Sequence, residues 1–96
     1  MIEIRLSTEP SDNTLITFDG HILEFFSVIS RQSIRIHVFE IANIEILTDQ
    51  HGRNTLNINS KYVNSVILGG ATIRPEALAE TQALVVAVRQ AMAMYP

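Results

Sequence analysis

The sequence predicts a mainly β fold sealed by one C-terminal α-helix, and three observations lead to it. Short runs of alternating apolar and polar residues recur through the first two-thirds of the chain, the period of half-buried strands. Turn chemistry punctuates these runs, most plainly at Asp19-Gly20 and at Asp49–Arg53 with its Gly52. From Pro75 onward the apolar period changes to about 3.6, the repeat of a helix.

The elements follow in order. Ile2, Ile4 and Leu6 share one face of a first strand, and Ser7–Asn13 breaks it with loop residues. Thr14–Phe18 is a second strand, and Asp19-Gly20 reads as a two-residue hairpin turn. His21–Ile29 is apolar on both faces (Ile22, Leu23, Phe25, Phe26, Val28), which marks a central strand. After the Ser30-Arg31-Gln32 turn, Ser33–Phe39 alternates, with Ile34, Ile36 and Val38 on one face and Arg35 and His37 on the other. Ile41-Ala42-Asn43 reads as a corner before a fifth strand at Ile44–Thr48. Strand six is Thr55–Asn59, and strand seven is Val63–Leu68, with Gly69-Gly70 as a strand-to-helix joint.

Pro75 suits the first position of a helix, where its missing N–H has no partner to lose. Glu76 and Glu80 complement the positive end of the helix dipole and Arg89 the negative end. Leu78, Thr81, Val85, Val88 and Met92 form its apolar stripe, flanked by Ala77, Leu84 and Ala91. From Pro75 to Met92 the helix spans about 27 Å at 1.5 Å per residue.

Ninety-six residues fit one domain, 1–96, with one core. Apolar residues at 47 % and charged residues at 18 % suffice to bury that core and argue against disorder. With no cysteine, a disulfide scaffold and a thiolate metal site are both excluded. The net charge of −3, with seven basic residues scattered singly, argues against nucleic acid or an anionic membrane as partner. The alternating Met1–Leu6 does not resemble a signal peptide, and Asn64, Ser65, Gly69 and Gly70 interrupt the longest low-charge stretch. A cytoplasmic setting is therefore expected.

A seven-stranded antiparallel sheet of this size twists and curls, leaving an open end for the helix to plug. Seven strands in meander order followed by one helix resembles the pleckstrin-homology-like superfold, including its short bacterial and GRAM-like members. The residues that carry the resemblance are the hairpin within Thr14–Phe25 and the strand–corner–strand run Ile34–Leu47. It implies a partly open barrel capped by the helix, with no cofactor and no catalysis. It also implies protein partners: an extended peptide pairing with strand five beside the helix, or a second copy of the chain. In that groove Glu45 and Leu47 supply selectivity, and Ala and Val side chains of the helix line the opposite wall. Lipid-binding members carry a basic cluster on the first hairpin, whereas Ser7–Asn13 offers Glu9 and Asp12, which argues against phosphoinositide binding. The alternative function is binding of a small ligand or a lipid headgroup at the open barrel end.

Several residues are candidates for sites. Phe39 shares parity with Arg35 and His37, so it should point away from the core, and with Tyr62 it makes a candidate partner-binding surface. Arg31, Arg35 and Arg53 form a candidate anion patch if their turns gather at one end of the sheet. Asn54, Asn57, Asn59 and Asn64 give strands six and seven an uncharged polar face, read as ordinary surface or as a protein contact. Glu24 reads as a solvent-side carboxylate. His21, His37 and His51 have no metal-ligand spacing, and no nucleophile elbow or phosphate loop is present.

Overall fold

The computed structural model describes residues 2–5, 14–27, 32–62 and 66–94. Four strands, β1 (Ile2–Arg5), β2 (Thr14–Phe18), β3 (Ile22–Ser27) and β4 (Gln32–His37), pair antiparallel in sequence order. A second antiparallel sheet holds β5 (Ile41–Thr48), β6 (Asn54–Ser60) and β7 (Val66–Thr72), and the helix α1 runs over Leu78–Met92. Mainly β, antiparallel, with one C-terminal helix is thus the architecture.

The seven strands do not form the single curled sheet expected of them, and they do not close a barrel. The break comes at a 3-10 turn over Val38–Glu40, three residues ahead of the expected corner. His37 Nδ1 accepts the Phe39 N–H at 3.2 Å, and the Ile41 N–H returns to the Val38 carbonyl, so the chain leaves the β4 ladder and starts a new one. Two backbone bonds hold the corner between the sheets: Val38 N–H to the His21 carbonyl at 2.9 Å, and Lys61 N–H to the Glu40 carbonyl at 2.6 Å. Ile41–Asn43, read as the corner, is instead the bulged start of β5, with Ala42 as the extra residue.

Two other local expectations are displaced. The first hairpin closes with Asp19 N–H on the Ile22 carbonyl at 3.3 Å, so Gly20 and His21 are its central residues. Asp19 sits one position earlier because its Oδ1 accepts the His21 and Ile22 N–H groups at 2.9 and 2.8 Å, while Gly20 takes φ +105°. Gly69-Gly70 is no joint: it lies inside β7, where the pairing jumps from Leu56↔Ala71 to Ile58↔Leu68. Asn57 therefore faces both glycines, a bulge that glycine accommodates because it has no side chain to place.

The alternation of the sequence delivers one core from both sheets. Ile4, Ile16, Phe18, Leu23, Phe25, Ile36 and Val38 come from the first sheet and its corner, and Ile41, Ile44, Leu56 and Ile58 from the second. Ile34 shares the face of Ile36 but is 46 % exposed at the far end of β4. The helix adds Ala77, Leu84, Val85 and Val88, so its buried stripe is centred on Thr81, Leu84, Val85 and Val88, with Leu78 and Met92 at the margins. Its first turn, Pro75–Ala77, is 3-10, so the α-helix proper starts at Leu78 rather than at Pro75. Thr81 is a polar residue in this core, satisfied by donating Oγ1–H to the Ala77 carbonyl at 2.7 Å.

The helix lies along β5 and also touches the 38–40 turn and β1. It therefore reaches the edge strands of both sheets, and each long side of α1 borders a depression.

Candidate binding groove

The larger depression lies between α1 and β5. It is an open groove of about 460 Å³, lined by Glu45, Ile46, Thr48 and Asn54 on the sheet side. Leu78, Gln82, Val85, Val86 and Arg89 line the helix side. Its sheet wall is a strand edge, because among the described residues β5 pairs only with β6.

Which backbone groups point into the groove follows from the ladder. Asp49 N–H meets the Arg53 carbonyl at 3.0 Å, and the Leu47 carbonyl accepts from Thr55 Oγ1, so the odd-numbered residues turn their backbone groups toward β6. The even-numbered ones turn away. The Ile44 carbonyl demonstrates this, since it accepts from Arg89 Nη2 at 2.8 Å and Nε at 3.2 Å. The N–H and C=O of Ile46 and Thr48 accordingly face the helix, and no partner takes them among the described residues. An unpaired strand edge of this kind accepts an added strand.

Arg89 fixes one end of the groove at Ile44. The other end lies by Asn54 and Leu78, since Ile73 N–H bonds the Asn54 carbonyl at 2.9 Å just before the helix begins. From Leu78 to Arg89 is about 16 Å of helix, room for roughly five extended residues. Thr48 Oγ1 donates to Asn54 Oδ1 at 2.6 Å and braces the far end.

The opposite side of α1 borders β1 and the first hairpin. That hollow of about 390 Å³ is lined by Ile2, Phe18, Asp19, Gly20, Ala87, Gln90, Ala91 and Met94. Asp19 is its one charged lining residue among those described, held below the ordinary carboxylate range first by the Ile22 N–H and then by the His21 N–H. No Lys, Arg or His is among its described lining residues.

The expected site residues distribute as follows. Glu45 lines the groove, whereas Leu47 is 43 % exposed on the outer side of β5 and does not. The valines expected on the helix wall are present as Val85 and Val86, but Ala87 and Ala91 line the other hollow. Phe39 and Tyr62 are both exposed and meet edge to face at 6.1 Å. His37 packs on Phe39 at 4.5 Å, and His21 stacks on His37 at 6.2 Å, giving a continuous surface row of four rings. The spacing of the histidines in sequence does not announce this row; the β3–β4 register, which sets Ile22 opposite His37, brings His21 and His37 together. His51 stands in the β5–β6 loop beside Gln50.

Of the anion patch, Arg35 is ion-paired across the strands to Glu24 at 2.8 Å, Arg53 is in the β5–β6 loop, and Arg31 lies outside the described residues. So do Asn64 and the acidic Ser7–Asn13 loop, while Asn57 and Asn59 face Glu45 and Asn43 in the β6 register. Among the described residues, no three His, Asp or Glu side chains are grouped to hold a metal, and no helix is long and apolar enough to cross a membrane. Asn54, from the polar face of strands six and seven, does line the groove, but Arg89 and Gln82 carry no sequence signal for it: dipole complementarity accounts for Arg89, and nothing local to it announces the Ile44 carbonyl.

Compared with known proteins, the chain matches no family model, and no curated protein or solved structure matches it either.

Proposed function

We propose that this chain is a non-catalytic protein-interaction module of pleckstrin-homology-like type that takes an extended peptide as an added strand on β5. The observation that carries this reading is the outward-facing N–H and C=O of Ile46 and Thr48, set beside an apolar helix wall. Backbone pairing supplies affinity without regard to sequence, and Val86, Leu78 and Gln82 opposite supply preference. The meander order of the strands and the terminal helix support the fold comparison.

The test is selection of random displayed peptides against the intact chain, followed by titration of the winners. Val86 is 54 % exposed, so Val86→Glu leaves folding intact while setting a charge in the groove. Binding is expected to weaken about tenfold or more, roughly 1.4 kcal/mol. Selected peptides that bind the Val86→Glu variant unchanged overturn the assignment to this groove.

A second reading, self-association, rests on the exposed row His21, His37, Phe39 and Tyr62. Light scattering coupled to sizing checks it. A dimer that Phe39→Asp dissolves supports this reading, and a monomer at all concentrations removes it.

A further inference from the structure

Resting on the peptide-groove reading, we infer that the groove is specific for a peptide C-terminus, with Arg89 receiving the terminal carboxylate. Arg89 spends only Nε and one Nη2 hydrogen on the Ile44 carbonyl. A guanidinium carries five N–H donors in a fixed fork, so three remain. The bond to Ile44 locks the fork at the groove's end, and a pre-positioned guanidinium loses little freedom on meeting a carboxylate. No carboxylate among the described residues lies within ion-pair distance of Arg89.

Position gives the direction of the bound chain. Arg89 marks the groove's end at Ile44, in the middle of β5, and Leu78 with Asn54 marks its end at Thr48. A peptide whose carboxylate reaches Arg89 and whose upstream residues pair with Ile46 and Thr48 runs antiparallel to β5. The Ile44 carbonyl, already occupied by Arg89, closes the edge to further pairing, so the added strand ends where the peptide must end. An internal segment would have to continue past the arginine and displace it. Glu45 lines the same groove and repels a second acid, which restricts the ligand to one terminal carboxylate with neutral or basic side chains before it.

The experiment compares one set of short synthetic peptides, prepared as mixtures with free C-termini and as the matching C-terminal carboxamides, on the unmodified protein. The free acids are expected to bind about tenfold or more tightly, with the advantage shrinking as salt is raised. In Arg89→Gln, checked for folding by its thermal transition, acids and amides should bind alike. Equal binding of acids and amides to the unmodified protein overturns the carboxylate assignment and leaves the groove standing. Absence of binding by both, with none selected from displayed internal sequences, overturns the groove as well. Amides that bind the unmodified protein as tightly as the acids, and lose binding in Val86→Glu, mark a groove that takes internal segments.

Discussion

The two long sides of α1 meet the body of the protein in different ways. Toward β5 the helix faces a strand edge, so the depression there offers backbone donors and acceptors, an arginine at one end and apolar side chains along its wall. Toward β1 it faces the first hairpin, where Phe18, Ile2, Ala87, Ala91 and Met94 offer apolar surface and Asp19 is already committed to its own turn. The two depressions differ little in volume. What separates them is the lining: β1 is an edge strand as well but gives its hollow only Ile2, whereas β5 runs along its groove with Glu45, Ile46 and Thr48. Strand addition needs a length of strand edge along the groove, and the proposed function accordingly places the peptide on the β5 side.

Substitutions along the helix separate these two sides. Leu84 is fully buried between them, and Leu84→Ala removes the seat of the helix on both. It is expected to cost roughly 2–5 kcal/mol in chemical denaturation and to abolish ligand binding near the unfolding midpoint. Arg89→Met keeps the aliphatic stem but leaves the Ile44 carbonyl without its donor. This should cost roughly 1–3 kcal/mol, and hydrogen exchange should quicken along β5 but not along β1. Gly20→Ala probes the other side. A Cβ at Gly20 meets nothing within 4 Å, so the expected loss of about 1–2 kcal/mol is backbone strain alone, at φ +105°. Peptide affinity at the β5 groove should be unchanged by it.

The smallest effect is the titration of Asp19. Its carboxyl is depressed below the usual 3.8 by the N–H groups it accepts. A depressed acid contributes stability that is fully present above its unfolded value, and that contribution is lost as pH falls through the lower folded value. The protein should therefore be the more stable near neutral pH, and the unfolding curves of the protein and of Asp19→Asn should converge as pH falls below about 4. Identical curves throughout that range would show that the hairpin draws nothing from the charge.

Much of this was legible in the sequence because it depends on period. Ile44 is buried and Ile46 packs half-buried on the core, while Leu47 on the other face is exposed; the helix likewise buries the face that its spacing marks. The Ile44–Thr48 edge beside the helix was reached through a resemblance, and the groove lies there. What stayed hidden depends on contacts between distant residues. The sheet splits at Val38–Glu40 because His37 caps its own neighbour and Lys61 answers Glu40 from 21 residues away. Arg89 reaches Ile44 across 45 residues, and no local pattern encodes that. Gly69-Gly70 carries a turn signal by composition, yet only the β6 register decides that the pair makes a bulge.

The most direct measurement is amide hydrogen exchange of the intact protein, alone and with a peptide obtained by display selection. Strand addition predicts that the Ile46 and Thr48 N–H groups, which face the helix unpaired, become protected on binding, while residues along the β1 side of α1 and the row from His21 to Tyr62 do not change. Protection confined to that ring row or to the β1 side, with Ile46 and Thr48 exchanging as before, would contradict the account.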